Sequence, residues 1–400
     1  MVEAFSKRRV LFVAMAAPGG IAGHHYSMRD LARAFTRHGW SAQVLLFSRM
    51  SDGISPPLAE FGPVFVKTGC GFGAAIRAMR RHVSEYATDL VLTFDEASNR
   101  VAICGLLGRL EILLPVKPGW VNSSSWSAAS SEFVVFTAED LLFYRSHPKF
   151  RKVHTNLISG RVEPPAVDLN ASRKLRAKVL SRHDAQRLAI CPVRIERGKS
   201  FFIDAVLSSF KLLCQNGDQD VALLIIGAEQ DPSFLKELEI RTAKMPVSIC
   251  TDPIYTDRLA DVLSSGDVVY AIGRTTMEAL LIGKKVFCPT GRSDQKLWEV
   301  TSKNFFVALA GNFTGRNRGK DLYATIKADT RDPPQASEIA ELEELVYQNV
   351  SAEMSLPKYL AAYERSIEAP PSAIHQVRAF IFSRLRLLAL DIHSRLMKNL

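Results

Sequence analysis

The chain has 400 residues, 47% hydrophobic and 23% charged, too many for one ordinary core and suited to two soluble globular domains of about 150–200 residues each. Its net charge of +10 implies an anionic partner, yet no basic stretch is interleaved with aromatics and no nucleic-acid module is visible, so nucleic acid is not expected. The six cysteines are scattered, with no CxxC pair and no histidine cluster, a pattern that fits buried thiols in a cytoplasmic protein rather than zinc or disulfides.

In chain order, the basic KRR at 7–9 and apolar residues 10–17 resemble a short signal peptide. The run nevertheless enters a glycine turn at once, and polar residues 24–26 and an amphipathic helix follow, as after a first buried strand. No apolar run reaches the ~18–20 residues that span a bilayer. Strands are expected over 10–14, 43–47, 90–94 and 133–136, with helices over 26–38, 77–86 and 138–145. This βαβ alternation predicts a parallel, doubly wound sheet.

The turn-rich GRVEPPAVD at 160–168 and a charged stretch over 172–182 mark a break. A second alternating series follows, with strands over 188–191, 221–226, 247–250, 267–271 and 285–288. Two Rossmann-like domains facing a cleft are therefore expected, over 1–165 and 166–365. The remaining 366–400 holds a basic amphipathic helix. In it Val377, Phe380, Ile381, Leu385, Leu388, Ile392 and Leu396 recur at helical spacing among Arg378, Arg384, Arg386, Arg395 and Lys398. Such a helix either packs back on the first domain with its charges solvated or lies on an anionic membrane surface.

Three places carry chemistry. Gly19 and Gly20 form a turn between the first strand and helix, where backbone N–H groups can meet an anion or simply turn the chain. The turn is not a G-x-G-x-x-G fingerprint, and the second strand ends FSR at 47–49 with no acid for an adenosine ribose, so an NAD enzyme is not expected. Arg194 and Lys199 follow the first strand of the second domain. Two cations there can converge on a diphosphate and stabilise the charge that grows as it leaves, or form a solvated basic loop. Lastly, GRTTME at 273–278 opens a helix after another strand, so that free N–H groups favour phosphate. Glu278 then meets sugar hydroxyls or merely complements a helix N-terminus.

Taken together, these motifs resemble a GT-B glycosyltransferase, specifically the retaining family 4. PGG at 18–20, LARAFTRHG at 31–39, NLISGRVEPPAVD at 156–168, RIERGK at 194–199, LLIIG at 223–227 and MEALLIGKKV at 277–286 follow the family's order. The resemblance implies two Rossmann-like halves, with the C-terminal helix packing back on the first. It assigns Arg194 and Lys199 to the donor diphosphate as catalytic groups and Glu278 to the nucleotide ribose. Gly273, Arg274, Thr275 and Thr276 would line the donor pocket, Gly19 and Gly20 would lie under the phosphate or sugar, and 251–255 near the base. It further implies a nucleotide-sugar donor, no metal or other cofactor, and a glycan or lipid-linked glycan acceptor of the cell envelope, reached from the cytoplasmic side.

The chain departs from that pattern at two points. Where the family places the first glutamate of an E-x7-E pair stands Tyr270, and no histidine lies between His82 and His147. Asp95 stands at the tip of the 90–94 strand instead, as a general base or as a helix cap. A nucleotide-sugar epimerase of the same fold, and a non-catalytic nucleotide-sugar-binding protein, are the alternatives.

Overall fold

A computed structural model describes residues 8–16, 23–48, 56–68, 71–118, 126, 128–215, 220–256, 258–289, 296–314 and 336–396. The chain forms two compact units, Met1–Val162 with Val350–Leu400 and, between them, Glu163–Asn349. Each has a parallel sheet whose central strand is buried on both sides, so that its alternate residues enter two separate cores.

In the first unit the described strands are β1 (Arg9–Met15), β2 (Ser41–Ser48), β3 (Val64–Lys67), β4 (Leu90–Thr93), β5 (Leu113–Lys117), β6 (Glu132–Val135) and β7 (His154–Leu157). They pair in parallel in the order β3-β2-β1-β4-β5-β6-β7. Val10, Phe12 and Ala14 of β1 pack with Met28, Leu31 and Phe35 of helix Gly23–Arg37, and with Leu356 and Tyr359 of helix Ala352–Glu368. Leu11 and Val13 point the other way, toward helices Gly73–Glu85 and Glu96–Gly105.

The second unit repeats the plan with β8 (Arg187–Pro192), β9 (Val221–Ile226), β10 (Val247–Cys250), β11 (Val268–Tyr270), β12 (Lys285–Pro289) and β13 (Leu297–Glu299). The order is β10-β9-β8-β11-β12-β13, parallel except for β13. Ala189 and Cys191 face helix Ser200–Gln215, whereas Leu188 and Ile190 face helix Leu169–His183.

Three expectations need adjustment. Residues 350–365, counted with the second domain in the sequence, lie in the first unit. Val162 and Ser351 form a parallel bridge there, and a Cβ on Gly160 would stand 1.9 Å from Ser355 Oγ, so only glycine lets the two segments lie this close. The charged stretch around 172–182 is part of helix Leu169–His183, capped by Asp168. Helix Ala373–Leu396 does pack on the first unit, but through Ala379, Ser383 and Leu387. Of the stripe read from the sequence, Phe380 packs partly against that core, whereas Val377, Ile381, Leu385, Leu388 and Ile392 stay exposed.

Candidate functional site

In a doubly wound sheet the crevice opens beyond the carboxyl ends of the two central strands from which the chain departs in opposite directions. In the second unit these are β8 and β11, which pair with each other while their successors β9 and β12 lie on opposite sides. Arg194 lies two residues beyond the end of β8. The β8–β9 ladder continues past the strands to hold it: Val193 N donates to Ile226 O at 2.8 Å and Ile195 N to Ala228 O at 3.0 Å. Gln230 N and Asp231 N then donate to Ile195 O. A Cβ on Gly227 would meet Val193 O at 1.9 Å, so this approach requires glycine.

The Arg194 side chain is 53% exposed. Its guanidinium donates to Gln230 Oε1 at 3.3 Å and lies 3.2 Å from Glu196 Oε1. Lys199 ends the short turn Arg197–Lys199, where its N–H donates to Glu196 O at 2.9 Å, and helix Ser200–Gln215 follows directly. Arg197, the third cation of the motif, turns away to Glu237 at 3.1 Å and stacks over Phe234. Arg194 and Lys199 thus stand at the carboxyl edge while Arg197 braces the neighbouring helix.

Beyond β11, Gly273 caps helix Arg274–Leu281 with φ +62° and ψ −131°, a conformation open only to glycine. Glu278 accepts from Arg274 Nε at 2.8 Å, and both side chains are largely withdrawn from water, at 12% and 13% exposure. Thr276 is buried, and its hydroxyl has no hydrogen-bond partner among the described residues. Thr275 is partly exposed. Tyr270 lies in the core against Phe287, ring centroids 5.8 Å apart, where burial pushes its phenol up to about 12. A tyrosine at this point is a packing residue, so the first position of the family's glutamate pair is not a carboxylate here. The 251–255 segment follows β10 at the same edge, with Asp252 Oδ1 accepting from Ile254 N at 2.9 Å.

The corresponding switch in the first unit lies between β1 and β4. Gly19 and Gly20 fall outside the described residues. Asp95, at the end of β4, accepts from Met15 N and Ser98 N, both at 2.7 Å, and Ser98 Oγ completes a capping box on helix Glu96–Gly105. Of its two expected roles the bonding pattern fits the cap, since one carboxylate oxygen accepts from Ser98 N in the helix and the other from Met15 N, which ties the end of β4 to β1. Burial raises its pKa, while these donors and His25 pull the other way.

His24 and His25 stand at the start of helix Gly23–Arg37, beside this edge, with ring centroids 4.5 Å apart. His25 Nε2 lies 3.2 Å from Met15 O. Burial, helped by His25, lowers His24 to about 3, and its Nε2 has no partner among the described residues. The sequence signal for this pair is two adjacent histidines directly after the first strand and its glycine turn.

No protein-family profile and no curated protein matches the sequence. Solved structures do. A glycosyltransferase from Rickettsia africae is similar over 91% of this chain and 100% of its own, with a TM-score of 0.56 at 14% identity. The pneumococcal O-GlcNAc transferase GtfA, solved with UDP and GlcNAc, aligns over 91% of this chain and 100% of its own, with a TM-score of 0.55 at 11% identity. A Listeria monocytogenes protein assigned as a UDP-N-acetylglucosamine 2-epimerase covers 92% of this chain and 99% of its own, with a TM-score of 0.52 at 12% identity. At such identities the likeness is one of fold: the chain is a GT-B protein built of two Rossmann-like α/β units.

Proposed function

We propose that the chain is a glycosyltransferase of the retaining family 4 kind, moving a sugar from a nucleotide-sugar donor to an acceptor hydroxyl. What supports this reading is that the segment after β8, which carries Arg194 and Lys199, and the segment after β11, which carries Glu278, leave the same sheet edge from the two strands that flank the switch of the second unit. Arg194 and Lys199 hold the donor diphosphate and offset the charge that develops as it departs, a task that needs no metal when two cations are in place. Glu278, oriented by Arg274, takes the ribose hydroxyls, and the turn from Gly273 to Thr276 lines the donor pocket. The acceptor, a glycan or lipid-linked glycan of the cell envelope, binds the first unit on the cytoplasmic side. Asp95 holds the β1–β4 edge in shape for it, with His24 and His25 beside that edge.

A thermal-shift panel of UDP-, GDP-, ADP- and TDP-sugars tests the donor half, because a ligand of the folded state raises the melting temperature by mass action. One nucleotide class should stabilise the protein, and Arg194→Ala should abolish the shift. A flat panel, or an unchanged shift in the variant, removes the reading. The packing of Tyr270 in the core, where the family pattern has a first glutamate, favours a non-catalytic nucleotide-sugar-binding protein as second reading. Calorimetry that shows nucleotide-sugar binding without turnover across a broad acceptor panel separates the two.

A further inference from the structure

Helix Ala373–Leu396 is apolar on two sides. At about 100° per residue, Ala379, Ser383 and Leu387 share one arc of about 80°, and these are buried against the first unit. Ile374, Val377, Ile381, Leu385, Leu388 and Ile392 fall in a second arc of similar width, about 160° around the helix from the first. Those six are 43–68% exposed. An uninterrupted row of large aliphatic side chains facing water on a helix already packed by its other side marks an interaction surface.

The charges around the row identify what covers it. Arg378 and Arg384 border the row on its two sides, and Arg386 is exposed further round the same helix. Its one described acid, Asp391, faces inward, accepting from Phe72 N at 3.4 Å. Helix Gly73–Glu85, which packs beside the same Glu96–Gly105 helix, adds exposed Arg77, Arg80 and Arg81 against one exposed acid, Glu85. Two copies meeting through this face would bring arginine rows together with no acid on the helix to answer them, which opposes self-association. No helix among the described residues is long and apolar enough to cross a membrane, so the surface suits shallow burial along a bilayer.

We propose that the outer face of Ala373–Leu396 docks the protein on an anionic membrane surface, its six aliphatic side chains entering the acyl boundary and its arginines meeting lipid phosphates. The inference is independent of the reaction proposed above. Flotation of the full chain with phosphatidylcholine vesicles, with and without phosphatidylglycerol, tests it. The protein should float with the anionic vesicles only. The pair Ile381→Glu and Leu385→Glu should cut the floated fraction on the order of tenfold or more. The triple variant Arg378→Gln, Arg384→Gln, Arg386→Gln should do the same, and because it alters only exposed groups it serves should the glutamate pair unfold. Three results overturn the proposal: a full chain that stays at the bottom, variants that float as well as the parent, or equal flotation with neutral vesicles. Light scattering that shows a dimer broken by the glutamate pair, with no flotation of the parent, assigns the face to a second copy instead.

Discussion

Glu278 and Arg274 hold each other at 2.8 Å with little solvent around either, so the carboxylate is oriented before any ligand arrives. A ribose contact of this kind is made equally in the ground and transition states, and its loss appears in KM. The cations at 194 and 199 hold the diphosphate in the bound donor and also face charge that grows as it leaves, so their loss raises KM and, unlike that of the ribose contact, lowers kcat as well. Arg194→Ala and Lys199→Ala should therefore lower kcat on the order of 10²-fold, and Glu278→Ala should raise the donor KM about tenfold with a smaller change in kcat. Steady-state kinetics against the donor found by thermal shift distinguishes the two patterns, and their reversal would exchange the assigned roles. His24 gives a prediction about pH. Its folded pKa, lowered from 6.5 to about 3, means that the unfolded chain binds the extra proton across that window. Stability therefore falls as pH drops from above 6.5 toward 3, by about 2 kcal/mol between pH 7 and 5 from this group. Urea unfolding at both pH values should show that loss reduced in His24→Gln; an equal loss in both proteins would place the pH dependence elsewhere.

At the scale of elements, the loop that bears Arg194 owes its position to its neighbour. The ladder from Val193 to Ile195 runs on beside residues 226–228 only because Gly227 leaves room for the Val193 carbonyl. In Gly227→Ala the new methyl would contact backbone, which cannot swing aside as a flexible side chain can, so the loop must move. A loss of about 1–3 kcal/mol in stability and a weaker donor-induced thermal shift should appear together. A stability loss with donor binding intact would show that the ladder does not position the site. Such dependence was only half legible in the sequence. LLIIG over 223–227 reads as a strand and its turn, but nothing in it says which neighbouring carbonyl the glycine makes room for. The C-terminal helix teaches the same lesson more sharply. Its apolar spacing gave a stripe, yet the packed face is the one carrying Ala379, Ser383 and Leu387, with only Phe380 of that stripe partly buried against it. Periodicity locates apolar residues on a helix without saying which row meets protein and which meets something else.

At the scale of the whole molecule, two alternating series of apolar runs and helices were enough to give both parallel sheets, because a strand buried on both faces must be apolar throughout. The elements not foreseen are those whose burial comes from elsewhere. β3 and β7 are short edge strands, with polar His154, Thr155 and Asn156 in the latter, and β5 carries Pro115. Helix Ala352–Glu368 follows the second unit in sequence but supplies Ala352, Leu356, Tyr359 and Ala362 to the core beneath β1. Sequence order cannot show that return, since its reward is contact with residues some three hundred positions earlier. The consequence is testable by truncation. A chain ending at Asn349 lacks those four side chains and the bridge from Val162 to Ser351. Losing even two or three large buried residues costs several kcal/mol, comparable with the whole stability of a domain. The second unit lies within Glu163–Asn349, so the same cut removes none of its own residues. Calorimetry of the 1–349 chain should thus show one cooperative transition, and donor nucleotide should raise its midpoint as it does in the full protein. Two transitions in the truncated chain, or loss of the nucleotide response, would mean that the last 51 residues support the second unit as well.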